Sequence, residues 1–244
     1  MPDALGWTAL AVGAIIASTI GGVAGFGTGV IMIPLIAWTL GIKATVPVLT
    51  VAMLMGNSAR VWFSRREVEG RVVVAFLIGA IPTGILGAML YSSIEGQWIS
   101  RILGVFLLSA VPLRRLLSAH NVRVRLRHFP FIGGAFGFLS SLVGATGPVM
   151  SPFFLGYGLR RGAYIATDAL CTVGTYITRG FVFHRYDLMT APVVWVGLFL
   201  GVVMIGGAWI GRRLLDRMSE HVFLRIVEVL IVLFGLQFLL FPSR

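Results

Sequence analysis

The stretch from Gly21 to Pro34, GGVAGFGTGVIMIP, has five glycines within nine residues and ends in a proline. It lies inside a run without charged residues from Ala4 to Ile42. As one straight helix this run would be ~58 Å long, about twice the ~30 Å hydrocarbon core of a bilayer. The chain must therefore break or turn back. We expect the break at the glycines and Pro34, which tolerate or force an interruption.

The composition of the chain is that of a membrane protein. Of its 244 residues, 57% are hydrophobic and only 12% are charged, too few to cover a soluble surface. Three more runs without charge match or exceed the length of a bilayer-spanning helix, at 72–94, 129–159 and 188–211. Because these runs are continuous and not alternating, the sequence predicts an all-α polytopic membrane protein with a single integral membrane domain.

The opening stretch has a second copy further along the chain. Its pattern Thr28, Gly29, Met32, Pro34 recurs as Thr146, Gly147, Met150, Pro152. Later matches follow in the same order: 65–68 with 185–188, 87–88 with 207–208 and 101–102 with 225–226. We therefore predict a first repeat at 1–117, a basic cytoplasmic linker at 118–128 and a second repeat at 129–244. Each repeat would be a glycine-rich broken helix or re-entrant hairpin followed by three transmembrane helices.

The spans following the broken helices are expected at 44–59, 72–90 and 98–113 in the first repeat, and at 162–183, 189–211 and 221–241 in the second. If each glycine-rich region enters and leaves on one side, 15 of the 20 Lys and Arg residues fall on one face of the membrane and 5 on the other. Parallel halves would divide them 12 to 8. The positive-inside bias therefore favours inverted repeats, with both termini outside the cytoplasm.

Several other functions have little support in the sequence. The net charge of +11 comes mainly from arginines in short loops, which the positive-inside bias explains, so we expect no nucleic-acid binding. The single Cys171 excludes an intramolecular disulfide. We expect no metal, because the four histidines lie in or beside loops without ligand spacing. The N-terminus lacks a basic region before its apolar run, which argues against a cleaved signal peptide.

The glycine-rich motifs and the turns around them resemble a known family. The motifs are GGVAGFGTGVIMIPL and GFLSSLVGATGPVMSPF, with polar turns at 40–43 and 157–160 and the arginine-containing turns RREV and HRYDL. Over nearly the whole chain, this arrangement is similar to the sulfite exporter TauE/SafE family. Members often carry consecutive glycines in the second motif, where this chain has Gly144-Ala145-Thr146-Gly147-Pro148. The resemblance implies transport of a small anion such as sulfite, an organosulfonate or a carboxylate.

The paired breaks also suggest an anion site on physical grounds. A helix broken inside the membrane presents free N–H groups and the positive end of its dipole, which suit an oxyanion. Thr28, Gly29, Thr146 and Gly147 would supply such donors near the midplane. The alternative is that these are small residues that allow close helix packing.

The span after each motif adds polar candidates. Asp168, Thr172, Thr175 and Arg179 share one helix face by their spacing, and Thr50 and Asn57 occupy corresponding places in the first half. We add Asn57 and Thr175 to the predicted substrate-binding residues.

Intramembrane charges in these spans suggest further roles. We predict proton coupling by Asp168, because intramembrane carboxylates are costly and usually functional. The alternative is an interfacial Asp168 satisfied by Arg160, Arg161 or water. Glu228 in the last span raises the same question. Arg60 and Arg179 would attract the anion or, alternatively, extend to the interface.

The sequence therefore predicts a secondary transporter that exports a small anion across the cytoplasmic (inner) membrane by alternating access, with proton coupling as an option. The alternatives are a permease or channel for a carboxylate or another small anion, or a non-transporting membrane subunit. An enzyme is not expected, because the chain offers no metalloprotease motif, no paired carboxylates on one face and no Ser/His/Asp set. We expect no cofactor, and the lipid bilayer and a small anionic substrate as partners.

Overall fold

The computed structural model describes residues 3–24, 27–120 and 123–214, together with Leu236 and Leu240. Within these residues the chain is almost wholly helical and contains no strand. Its helices are α1 (Ala4–Ala24), α2 (Thr28–Leu40), α3 (Ile42–Ser64), α4 (Gly70–Ser93), α5 (Gly96–Ala119), α6 (Phe129–Val143), α7 (Gly147–Tyr157), α8 (Arg161–Arg185) and α9 (Ala191–Leu214). Short 3-10 turns lie at Arg65–Glu67 and Leu126–His128. Apart from Leu236 and Leu240, the span predicted at 221–241 falls outside the described residues, and so does Glu228.

Five helices of the described part are long and apolar enough to cross a bilayer, namely α1, α3, α4, α5 and α9. This confirms the prediction of an all-α membrane protein with several spans. Helix α8 is long enough as well, with 25 residues, but it carries charged residues along its length. It packs against α3 and α4. Polar side chains on a membrane helix are stable when they face other helices or a wet cavity, so this interior position suits α8.

The helix breaks within the quoted stretch, between α1 and α2, and again between α6 and α7. The 13 residues of α2 and the 11 of α7 extend only ~20 and ~17 Å, so neither helix spans the bilayer alone. The expectation that Pro34 marks the interruption is wrong, because Pro34 and its counterpart Pro152 lie inside helices. Each proline removes one intrahelical hydrogen bond, which neighbouring helices make tolerable in a membrane bundle.

Helices α3 and α5 continue furthest beyond their predicted ends. Helix α3 runs through Arg60 to Ser64, and α5 runs through two arginines to Ala119, where the span was expected to end at Leu113. Arginine is a good helix former, and its long side chain can reach polar surroundings from within a span. A basic residue therefore does not mark the end of a membrane helix.

Contacts between the two halves come in reciprocal pairs. The sequence match pairs α1 with α6, α3 with α8 and α4 with α9. Helix α1 packs on α9 while α6 packs on α4, and α3 packs on α9 while α8 packs on α4. Each contact thus occurs twice with the halves exchanged.

Helices α3 and α8 pack directly against each other and run in opposite directions. Arg179, near the end of α8, donates to the hydroxyl of Thr50 in the first half of α3 at 2.8 Å. The N–H of Glu69, just beyond the end of α3, donates to the hydroxyl of Thr167 near the start of α8 at 3.0 Å. Two matched helices therefore lie antiparallel at the centre of the bundle.

Candidate functional site

Each glycine-rich motif places one glycine in the left-handed conformation at its break. Gly27, directly before α2, has φ 101°, and Gly144, directly after α6, has φ 78°. Side chains with a Cβ are strained in this region of φ, whereas glycine is not. The two glycines therefore allow the chain to reverse direction within the membrane.

The two breaks touch each other. A Cβ atom on Gly29 would lie 2.6 Å from the Cβ of Ala145, so the tip of the first motif packs directly on the tip of the second. Residues of both tips line one buried cavity with a volume of about 30 Å³. Such a volume holds one or two water molecules.

Most of the predicted site residues meet at this cavity. Those that line it are Thr28, Gly29, Asn57, Arg60, Thr146, Gly147 and Asp168. Thr175 is buried elsewhere on α8, and its hydroxyl donates to the carbonyl of Cys171 at 3.0 Å.

Two helix N-termini open onto the cavity. The first hydrogen bond of α2 runs from the N–H of Ile31 to the carbonyl of Gly27 at 3.1 Å, so the N–H groups of Thr28 and Gly29 precede it. In α7 the N–H groups of Val149 and Met150 both donate to the carbonyl of Thr146. The N–H group of Gly147 comes before these hydrogen bonds. The N–H groups of the first turn have no acceptor within their helix, and they form the positive end of its dipole. The cavity is therefore lined by backbone that favours an anion.

Arg60 supplies a full positive charge at the same place. Its side chain is only 8% exposed. It donates to the hydroxyl of Thr28 at 2.9 Å and to the side-chain oxygen of Asn57 at 3.2 Å. The hydroxyl of Thr28 in turn donates to the carbonyl of Ala17 at 3.1 Å. Arg60 thus connects α3 to the first tip, and the Thr28 proton is directed at α1 and not at the cavity.

Asp168 lies opposite these positive groups. It is 6% exposed, belongs to the second turn of α8 and lines the cavity. Its Oδ1 atom is buried and has no hydrogen-bond partner among the described residues. A buried carboxyl oxygen without a partner is costly, so Asp168 is available to a proton or to a bound molecule in the cavity.

The motifs around the cavity extend into a match over nearly the whole chain. The family model described as "Sulfite exporter TauE/SafE" matches residues 9–238. The chain belongs to the TauE/SafE family. The resemblance drawn from the two glycine-rich motifs is thereby confirmed. No curated protein and no solved structure matches the chain.

Membership in TauE/SafE, together with five apolar spanning helices in the described part, makes the chain a multi-pass membrane transporter of the sulfite or anion type. The family is a transporter family and not an enzyme family. A transporter of this type needs a site that binds an anion and releases it.

Arg179 has a different environment from Arg60 in this TauE/SafE protein. It is 0% exposed, and its side chain donates to the Thr50 hydroxyl and to the carbonyl of Ser140 at 2.5 Å. Its guanidinium carbon also lies 4.3 Å from the ring centroid of Tyr176. The Ser140 carbonyl accepts the N–H of Gly144 as well, so Arg179 stabilises the end of α6 beside the second break.

The two arginines hold equivalent positions in matched helices. Arg60 lies eighteen residues after Ile42, the first residue of α3, and Arg179 lies eighteen residues after Arg161, the first of α8. The acid has no such counterpart, because the same count from the helix starts matches Asp168 with Leu49, and the neighbouring residue in α3 is Thr50. Among the residues that the structure describes, each half therefore has a buried arginine at this position, whereas the carboxyl group that lines the cavity comes from the second half.

Sequence reasoning missed Tyr176 and the apolar lining of the cavity, notably Met53 and Met150. Tyr176 follows Asp168 and Thr172 at intervals of four residues, so this spacing was the available signal. The hydroxyl of Thr172 itself donates to the carbonyl of Asp168. Met53 gave no signal, because an apolar residue in a membrane helix is expected at almost any position. Met150 was marked only by its place in the repeated motif.

Proposed function

We propose that this TauE/SafE protein is a secondary transporter that exports a small oxyanion, sulfite or an organosulfonate, across the cytoplasmic membrane by alternating access. One observation carries the proposal. Two helix N-termini from opposite halves and the guanidinium of Arg60 converge on one buried cavity. Export is the direction named in the family description.

The anion would bind between the positive groups. The early N–H groups of α2 and α7 and the Arg60 side chain surround the cavity, and the Thr146 hydroxyl is close enough to add a donor. Hydrogen bonds from charged or dipole-aligned donors to an oxyanion are about twice as strong as neutral ones. Since the cavity holds only one or two waters, the side chains that line it must rearrange to admit an anion.

Asp168 makes anion binding depend on a proton. Two like charges ~4 Å apart repel by ~4 kcal/mol at an effective dielectric constant of ~20. An ionised Asp168 therefore opposes the anion, and a protonated Asp168 can instead donate a hydrogen bond to it. We propose that proton and anion bind together, so that a monoanion crosses as a neutral pair. Export then follows when the anion gradient exceeds the opposing proton gradient.

Inverted repeats would give the site its two exits. The reciprocal helix contacts and the antiparallel arrangement of α3 and α8 support this architecture, because a two-fold axis in the membrane plane reverses matched helices. An axis along the membrane normal would leave them parallel. Exchanging the conformations of the two halves would open the cavity to the other side.

Flux through the purified protein in proteoliposomes tests the proposal. Sulfite, an alkylsulfonate and a carboxylate are compared, each at saturating and subsaturating concentration. We expect saturable uptake of the sulfur oxyanions, reduced at least ~10-fold in Arg60→Gln, which loses one charge-assisted contact. Arg101→Gln removes an arginine outside the site and should leave the flux unchanged.

The other results separate the alternatives. Transport of the carboxylate alone would make the protein a carboxylate permease, and flux that does not saturate would make it a channel. A protein that is folded but moves no anion would be a non-transporting subunit. Equal flux in wild type and Arg60→Gln would remove Arg60 from the site.

A further inference from the structure

A second, surface-exposed basic cavity lies where α3 passes into α4. It has a volume of about 410 Å³ and is lined by six consecutive residues, 62 to 67. Trp62 at the end of α3 is 67% exposed. Exposed tryptophans at the ends of spanning helices lie at the level of the lipid headgroups. This cavity therefore opens at the edge of the bilayer, away from the anion cavity.

Two arginines give this cavity its charge. Arg65 stacks on Trp62, with its guanidinium carbon 4.4 Å from the ring centroid, and exposed Arg66 follows in the same turn. A stacked guanidinium keeps its planar N–H groups available for an oxyanion. The cavity thus combines two cationic groups with an aromatic surface.

The one acidic residue of the cavity is directed elsewhere. The carboxylate oxygens of Glu67 occupy the place where a side chain on Gly162 would lie, in the first turn of α8. There the free N–H groups and the helix dipole stabilise a negative charge. Glu67 is therefore already balanced by α8, and the two arginines remain to bind an external anion.

We propose that this cavity binds the headgroup of an anionic phospholipid, with the phosphate between Arg65 and Arg66. A phosphodiester matches the paired N–H groups of guanidinium, and the position at the bilayer edge supplies lipid at high local concentration. The neighbouring start of α4 exposes the apolar side chains of Val74 and Ile78, along which acyl chains can lie. A zwitterionic headgroup brings a cation that the arginines repel.

The chain contains a matched control for this proposal. The guanidinium carbon of Arg101 lies 5.0 Å from the ring centroid of Trp98, which is also exposed. This pair therefore resembles the stacked pair of Arg65 and Trp62. The first pair precedes α4 and this one follows it. Since α4 spans the bilayer, the two pairs lie on opposite faces. Arg101 lacks the second arginine that follows Arg65 directly in sequence.

Lipid binding to the full-length protein in detergent, counted by native mass spectrometry, tests the proposal. We expect dioleoylphosphatidylglycerol to bind more tightly than dioleoylphosphatidylcholine. Each arginine near an anionic lipid contributes about fivefold, so Arg65→Ala with Arg66→Ala should weaken phosphatidylglycerol binding by about 25-fold. Arg101→Ala should bind as the wild type does.

Three results would overturn the proposal. The first is equal phosphatidylglycerol binding in the double alanine variant and the wild type, and the second is an equal loss in Arg101→Ala. The third is displacement of the lipid by sulfite or inorganic phosphate when chloride at the same ionic strength does not displace it. That result would assign the cavity to a soluble anion. Arg65→Lys with Arg66→Lys preserves the charge if the alanine variant fails to fold. It should still prefer phosphatidylglycerol, and loss of that preference would count against the proposal.

Discussion

Replacing Gly29 by alanine tests whether the two helix breaks must touch for transport. The new methyl group would lie 2.6 Å from the Cβ of Ala145, whereas carbon atoms in contact prefer about 3.5–4.0 Å. The tips must therefore separate by about 1 Å. Overpacking of this kind costs ~1–3 kcal/mol, of which the better helix propensity of alanine offsets at most ~1 kcal/mol. A net cost of ~1–2 kcal/mol for the closed site corresponds to a ~5–30-fold loss.

The assay is saturable anion flux in proteoliposomes, with thermal unfolding measured on the same samples. We expect Gly29→Ala to lose ~5–30-fold in flux, while Gly206→Ala, where the added methyl group meets nothing within 4 Å, transports normally. Adding Ala145→Gly to Gly29→Ala removes the clash, because the next atoms lie 3.6 and 3.8 Å away. The double variant should therefore recover. Normal flux in Gly29→Ala, or no recovery in a folded double variant, would show that transport does not depend on contact between the two tips.

Three further substitutions separate binding, coupling and folding. We expect wild-type transport of an alkylsulfonate, whose charge is fixed, to decline as rising pH ionises Asp168. Asp168→Asn should transport it without this decline, and an unaltered pH profile would discard the coupling role. Thr146→Val removes a hydroxyl from the cavity and should weaken anion binding by ~10-fold or more in calorimetry, whereas Thr83→Val, whose hydroxyl bonds within α4, should not. Arg179→Gln removes two buried hydrogen bonds of a charged group, to the Thr50 hydroxyl and the Ser140 carbonyl, and should destabilise the protein by about 3 kcal/mol in chemical unfolding. Lost binding with unchanged stability would instead place Arg179 in the site.

The sequence predicted the two breaks because they follow from physical limits on the chain. The run from Ala4 to Ile42, which as a helix would be about twice the bilayer thickness, cannot be one helix, and the repeated motif predicts a second break. Each break has a glycine in the left-handed conformation, Gly27 in the first and Gly144 in the second. The role of Pro34 could not be predicted in the same way. Whether a proline ends a membrane helix or only bends it depends on the neighbouring helices that surround it.

The candidate site was predicted less completely, because a polar stripe on a helix does not show which neighbour each side chain meets. Of the α8 stripe, Asp168 and Thr172 face the cavity, whereas Thr175 and Arg179 are buried against other helices. By their spacing, all four side chains point from the same face of α8, so the sequence cannot separate the first pair from the second. Only the packing of α8 on its neighbours decides between them.

In our proposal an anion binds where the two broken helices meet, and a crystal with a bound anion tests this directly. Selenite is a heavier analogue of sulfite, and its selenium gives an anomalous signal that locates it in a crystal of the protein. We predict an anomalous peak in the cavity, within hydrogen-bonding range of the Arg60 guanidinium and the N–H groups of Gly29 and Gly147. A selenium peak elsewhere in the bundle, with none in this cavity, would contradict anion binding at the two breaks.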